Sequence, residues 1–316
     1  VRILLDGVFN HVSQDFPALQ EALASPDAET SGWFHIDYST DPPTRLNFEG
    51  SDDLVRLNHA NPGVVKLVSD VMRYWLGRGI DGWRLDAAYA VDSKFWATVL
   101  PSVLAEYPDA LFTGEVIHAD LDQLKASTLQ SVTAYELWKA IWSSLNDVNF
   151  FELDWTLTRH DELLDLLRPL TFIGNHDVTR ITTMVGPPAA VMAMAILCTV
   201  GGMPSVYYGD EGGVEGTKYE RPGGDDEIRP ELPASPDDWR LPMPWMQDAY
   251  RALIALRRRH PWLVDARHKM VELTNERFVY NSTAGDEQLL VELDLEAGHS
   301  VVISDSTGEI YRFEGK

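Results

Sequence analysis

The sequence predicts an α/β fold built as a (β/α) barrel, and three observations predict it. Four apolar runs end in carboxylates, histidines or an arginine: Leu4-Leu5-Asp6-Gly7-Val8-Phe9-Asn10-His11, Ile80-Asp81-Gly82-Trp83-Arg84-Leu85-Asp86, Leu111-Phe112-Thr113-Gly114-Glu115 and Phe172-Ile173-Gly174-Asn175-His176-Asp177. Helical periodicity alternates with them along the chain. Their spacing is regular, with one strand–helix unit between Asp86 and Glu115 and two between Glu115 and Asp177. Polar residues at the C-terminal ends of successive strands describe a barrel mouth. A doubly wound open sheet is the alternative. It more often carries a glycine-rich phosphate turn after an early strand, and this sequence has none.

The first strand opens the chain and leads to His11. Residues 12–61 are rich in Asp, Pro, Ser and aromatics and are too long for an ordinary loop, so they read as an excursion domain. Asn61-Pro62 opens a helix, with Asn as N-cap and Pro in the first turn. Val64, Val65, Val68, Val71, Met72, Trp75 and Leu76 lie on its apolar stripe, and Gly77 and Gly79 end it. A strand over 80–86 follows, then a helix from Asp92 to about Glu106 that Pro108 stops. Next come a strand over 110–115, a helix near 121–127, a weaker strand at 129–135 and a helix over 137–145. A helix over 161–168 leads into the strand over 170–175. Pro187 begins an apolar helix to Val200, 203–208 is the last strand of the series, and 244–259 is a helix. Residues 1–11 and 62–260 thus form the barrel. Residues 261–316 alternate in short stretches at Phe278-Val279-Tyr280, 289–293 and 300–303, separated by turn signals, which reads as a small C-terminal antiparallel β-domain.

Composition narrows the partners. With 49 acidic and 26 basic residues the net charge is −23, which argues against nucleic acid and against an anionic membrane surface. The same balance suits a neutral substrate that needs no electrostatic steering. The single Cys198 forbids an internal disulfide and sits in the apolar run 189–200, far short of the ~20 residues that cross a bilayer. No targeting segment is visible, and a cytoplasmic location is favoured. The chain opens in the middle of a strand, so its beginning is expected upstream. No motif speaks to the oligomeric state.

The strand ends carry the chemistry. Arg84 and Asp86 share one face of their strand, and a carboxylate beside a guanidinium stays ionised at neutral pH. An ionised Asp86 can attack an anomeric carbon. Glu115 ends an apolar strand, and a partly desolvated carboxyl near like charges has its pKa raised, as a general acid needs. Asp177 supplies a third carboxylate that can grip sugar hydroxyls. Two carboxylates about 5 Å apart give retention. Each group also has a plainer use: a strand-end Asp as a helix cap, Arg84–Asp86 as a buried ion pair, His11 and His176 as core histidines. The histidines lack the tight spacing of a metal motif such as H-E-x-x-H.

These segments closely resemble the four conserved regions of the α-amylase family of glycoside hydrolases (family 13). Asp6-Gly7-Val8-Phe9-Asn10-His11 resembles the first, Gly82-Trp83-Arg84-Leu85-Asp86-Ala87 the second, Gly114-Glu115 the third and Phe172-Ile173-Gly174-Asn175-His176-Asp177 the fourth. The resemblance implies a (β/α)8 TIM-type barrel that lacks its first two strands in this chain, since the first matched region belongs to barrel strand three. It implies an excursion domain after that strand, and it makes 62–260 run through strand eight. An open seam beside the first strand is the corresponding expectation. The resemblance further implies Asp86 as nucleophile, Glu115 as acid/base and Asp177 as transition-state stabiliser, with His11, Arg84 and His176 holding the sugar. Gly209-Asp210-Glu211 after the last strand and Gly223-Gly224-Asp225-Asp226 with Arg229-Pro230 also look familiar, and by resemblance Asp226 and Arg229 contact the next sugar. Trp33-Phe34-His35 is similar to the cyclomaltodextrinase and neopullulanase branch. Tyr89-Ala90 stands where calcium-dependent starch amylases commonly have Lys-His, so no cofactor is expected and calcium is not favoured. The implied substrate is an α-glucan or maltooligosaccharide, cleaved at α-1,4 bonds with retention. A transferase or isomerase on the same scaffold, or a non-catalytic glycan-binding relative, are the alternatives.

Overall fold

A computed structural model describes residues 1–296 and 298–315. They fall into two compact units, Val1–Thr133 and Ala134–Lys316.

In the first unit, β1 (Leu4–Gly7) leads through β2 (His11–Ser13) and α1 (Pro17–Ala24) to four short strands. These are β3 (Ile36–Asp37), β4 (Thr44–Arg45), β5 (Asn47–Phe48) and β6 (Ser51–Arg56). β2, β6 and β5 form an antiparallel sheet and β3 pairs with β4, so residues 12–61 have strands of their own. α2 (Pro62–Leu76) follows, and the Asn61 side chain accepts from the Gly63 N–H at 2.7 Å, as its N-cap position predicts. Its stripe is buried at Val64, Val68, Met72 and Leu76, but Val65 and Val71 are only half-buried and Trp75 stays 42% exposed. β7 (Gly82–Leu85), α3 (Ser93–Leu104), β8 (Leu111–Gly114), α4 (Leu121–Ser127) and β9 (Ser131–Val132) complete the unit. The parallel sheet runs β1-β7-β8-β9, which makes β1 an end strand, and Ile3, Leu4 and Val8 along it are exposed.

Gly82 shows how closely these strands approach. A Cβ there would lie 2.0 Å from the Leu111 carbonyl oxygen, and the backbone of β8 cannot retreat without breaking the Gly82–Leu111 pairing.

The second unit opens with α5 (Tyr135–Asn146) and α6 (Phe150–Leu164). Here two expectations are corrected. Tyr135 starts a helix, so the weak strand expected over 129–135 shrinks to Ser131–Val132. The helix expected over 161–168 begins at Phe150, where the Asn149 side chain caps it by accepting from the Phe151 N–H. β10 (Leu170–Phe172), α7 (Ile181–Val185), α8 (Pro187–Thr199), β11 (Met203–Ser205) and α9 (Pro244–Arg259) follow, and β10 and β11 pair in parallel. Five antiparallel strands close the chain in sequential order: β12 (Arg267–Leu273), β13 (Arg277–Ala284), β14 (Glu287–Asp294), β15 (Ser300–Asp305) and β16 (Gly308–Glu314). Three of them, β13, β14 and β15, were expected.

α8 is the centre of this unit. Every side chain from Ala189 to Thr199 is buried, which explains an apolar run without helical periodicity. The five strands share its core with α5, α6 and α9. Polar contacts join the same layers: Thr199 Oγ1 and the Tyr280 hydroxyl lie 2.6 Å apart, and Arg257 donates to the carbonyls of Val200 and Gly202 at 2.6 Å each. Burial pushes the Cys198 thiol up to about 12, which keeps it a protonated, unreactive core group. Among the described residues no helix is long and apolar enough to cross a membrane.

One ion pair of this unit is fully enclosed. Arg180 and Asp210 are both 0% exposed, with Arg180 Nη1 2.9 Å from Asp210 Oδ1. Burial pushes the Asp210 carboxyl up to about 7, against the pull of Arg180. Its folded value therefore lies above the ordinary 3.8, and between those values the folded state holds a proton that the unfolded chain releases. Stability should fall as pH rises through that window and level off above about pH 7. Asp210→Asn should be less stable overall, because it leaves Arg180 unpaired, yet should show a flatter slope. Urea unfolding at pH 5, 6, 7 and 8 measures this, and a variant slope equal to the parent's would contradict it.

Candidate active site

The first unit gathers one cluster at the C-terminal ends of β1, β7 and β8. β1 and β7 pair in register, which sets Asp6 opposite Arg84. Arg84 Nη1 donates to Asp6 Oδ1 at 2.8 Å and to Asp86 Oδ1 at 2.6 Å, and Nη2 lies 2.8 Å from Glu115 Oε1. One guanidinium thus holds three carboxylates from three neighbouring strand ends. Burial works against its charge, but Glu115, Asp6 and Asp86 outweigh burial and raise its pKa further. The chain turns sharply after Asp86, with Ala87 in the left-handed region at φ 44°, and this turn delivers the Ala87 N–H to Glu115 Oε2 at 2.9 Å. Glu115 shares this guanidinium with Asp6 and Asp86, and its other oxygen meets a backbone donor.

Two further groups border the cluster. His11 is buried, stacks on Phe48 with ring centroids 5.0 Å apart, and has the Asn10 amide 3.1 Å from its Nδ1. Burial holds its pKa below 6.5, while Asp86 and Glu49 pull the other way. Tyr89, two residues past the Ala87 turn, donates its hydroxyl to Glu49 Oε1 at 3.0 Å. Glu49 stands at φ 50° in the turn between β5 and β6, so Tyr89 ties that turn to the Asp86 loop. Burial pushes the Tyr89 hydroxyl up to about 12, with Glu49, Glu115 and Asp86 adding to the shift.

The second unit gathers the other cluster beyond β10. The Asn175 side chain accepts from the Asp177 N–H at 2.8 Å and donates to the Tyr135 hydroxyl at 2.9 Å. His176 Nε2 lies 3.0 Å from Asp177 Oδ2. Arg229 donates from Nε to the His176 carbonyl at 2.8 Å and from Nη2 to Asp177 Oδ1 at 3.0 Å. Its remaining ion pair is with Asp225, at 2.7 Å, and not with Asp226, which is exposed on the adjoining helical turn. Among the described residues no group of three or more His, Cys, Asp or Glu side chains could hold a metal ion.

Sequence reasoning named Asp86, Glu115, Asp177, Arg84, His11, His176, Asp226 and Arg229; it quoted Asp6, Tyr89, Asp210 and Asp225 within motifs without giving them these partners, and it did not name Arg180. Asp6 lay inside the first motif and was within reach. The others depend on loop geometry.

Comparison with known proteins supplies the family. The family model of the α-amylase catalytic domain matches residues 1–282. Neopullulanase 2 of Thermoactinomyces vulgaris is 33% identical over 224 residues, which cover 67% of this chain and 38% of that protein. A cyclomaltodextrinase of Geobacillus thermopakistaniensis is 31% identical over 230 residues, again 67% of this chain and 38% of the relative. The chain therefore spans well under half the length of these relatives. Among solved structures, the cyclic α-maltosyl-(1→6)-maltose hydrolase of Arthrobacter globiformis superposes with a TM-score of 0.81 at 24% identity, over 99% of this chain and 74% of that one. That likeness concerns the fold. With strand-end carboxylates in the expected order and a catalytic-domain match over most of its length, the chain belongs to the α-amylase family, whose (β/α)8 barrel carries a C-terminal β-domain.

Proposed function

We propose that the protein is a retaining α-glycosidase that hydrolyses α-1,4-glucosidic bonds in maltooligosaccharides or related α-glucans. The observation that carries this reading is Arg84 holding Asp86 and Glu115 together, at 2.6 and 2.8 Å. One guanidinium spans both carboxyl groups, which supports the close spacing of a retaining pair, about 5 Å, over the ~6.5–9.5 Å of an inverting pair. The relatives' names, neopullulanase and cyclomaltodextrinase, support the substrate class.

In this reading β1 corresponds to the third barrel strand of the family and residues 12–61 to its excursion domain. Arg84 holds Oδ1 of Asp86, leaving Oδ2 to attack the anomeric carbon. Glu115 passes its proton to the departing glycosidic oxygen, and a glycosyl ester forms on Asp86. Water then attacks the same carbon, gives a proton to Glu115 and releases Asp86, with net retention. Asp177 stabilises the charge that develops on the ring, and His11 and His176 hold sugar hydroxyls. Arg229 orients Asp177, and the exposed Asp226 is left to the neighbouring sugar. No metal takes part. The reading places the protein in the cytoplasm, where its one buried thiol needs no oxidising environment.

Asp86→Asn should abolish turnover, by on the order of 10⁴-fold in kcat, while circular dichroism shows an unchanged fold. Activity on maltotriose within tenfold of the parent would sink the nucleophile assignment.

Glu115→Gln should be nearly inactive on maltooligosaccharides but should retain far more of the first chemical step on an aryl α-glucoside, whose leaving group needs little protonation. Pre-steady-state release of the phenol reads that step. Equal losses on both substrates would count against an acid role.

Hydrolysis should survive prolonged EDTA treatment, because Tyr89-Ala90 stands where, by the resemblance, calcium-dependent starch amylases commonly have Lys-His, and Tyr89 bonds Glu49. Loss on chelation with recovery on adding calcium would reverse this assignment.

A further inference from the structure

Arg180 and Asp210 are not among the residues assigned to sugar, yet they form an enclosed ion pair in the second unit. The pair is incompletely satisfied. Arg180 Nε and Nη2 and Asp210 Oδ2 are buried and meet no hydrogen-bond partner among the described residues. Such a pair is poor value for stability, since well-packed apolar groups of similar volume often do as well or better. Its surroundings give it a different use.

Arg180 Nη1 also donates to the Tyr208 carbonyl at 2.6 Å, and the guanidinium carbon lies 4.0 Å from the Tyr207 ring centre and 5.0 Å from that of Tyr208. Both rings are therefore seated on the buried cation. Their hydroxyls point to one segment: Tyr207 donates to the Ile228 carbonyl at 3.2 Å, and Tyr208 donates to the Pro230 carbonyl at 2.8 Å. Arg229 stands between those two carbonyls and is the residue that grips Asp177 and the His176 carbonyl. It cannot orient itself. Its side chain is 41% exposed, so its direction depends on the backbone that carries it.

The pair also touches the chain on both sides of Asp177. A Cβ on Gly174 would lie 2.7 Å from Asp210 Oδ2, so the absence of a side chain lets the end of β10 lie against that carboxylate. Three residues after Asp177, Arg180 starts α7, and its N–H donates to the Gly216 carbonyl at 3.0 Å.

We propose that Arg180 and Asp210, acting through Tyr207 and Tyr208, are positioning residues for Asp177: they seat the two rings whose hydroxyls carry the backbone on either side of Arg229, and so hold the cation that orients the carboxylate. The catalytic part of this statement rests on the role given to Asp177 above.

Tyr208→Phe tests it, since the ring remains on Arg180 and only the hydroxyl leaves. The variant should lower kcat on maltotriose five- to tenfold, with KM changed less than twofold and an unchanged melting temperature. Deuterium exchange of the amides in 225–229 should rise at least fivefold. In an Arg229→Ala background, Tyr208→Phe should cost less than a further twofold in kcat, because its effect passes through Arg229. Unchanged exchange in 225–229, or losses that multiply in the double variant, would overturn the proposal. If the parent cleaves no α-glucan, the functional reading fails, and exchange in 225–229 alone decides whether the tyrosines hold this segment.

Discussion

Arg84 resolves a conflict that parallel strands create. A parallel sheet brings the C-terminal ends of adjacent strands side by side, and here those ends carry Asp6, Asp86 and Glu115. Two unit charges of like sign 4 Å apart repel by about 4 kcal/mol at an effective dielectric of ~20. A cation on the middle strand turns this repulsion into a shared attachment. Only a guanidinium has the planar fork of donors to serve several carboxylates at once, whereas an ammonium is a compact point charge. The rest of the first unit's cluster is arranged around that fork. The Ala87 turn supplies the backbone donor that Arg84 cannot, and the loop that follows reaches the turn between β5 and β6 through Tyr89 and Glu49.

The legible part of this fold is the part where burial and chemistry coincide along one strand. Apolar runs with polar tips announced β1, β7, β8 and β10, and the Asn61-Pro62 and Asp92 caps announced α2 and α3 because capping is a local hydrogen bond between near neighbours. What escaped is set by register and by turns. Asp6 became a partner of Arg84 through cross-strand pairing, which period-two reasoning along a single strand does not address. Asp225 and Asp226 are adjacent and chemically identical, and only the helical turn at 226–228 decides which of them faces Arg229. Arg180 and Asp210 are thirty residues apart, and charged side chains ordinarily read as surface. β12 escaped because its side chains are mostly solvent-exposed on both faces, which erases the alternation that marks a half-buried strand. α6 began early because Asn149 acts as a cap in a stretch whose polar residues read as loop.

α8 has a consequence for the order in which this chain assembles. A helix apolar on every side needs cover on every side, and part of its cover comes from β14 and β15, about a hundred residues later in the sequence. During synthesis the helix emerges well before that sheet. Until the last strands arrive, a greasy cylinder stands uncapped, a state that invites association with other nascent chains and with chaperones. The five-stranded sheet is therefore less an appendage than part of the cover α8 requires, and a ribosome that stops short of it leaves a sticky product.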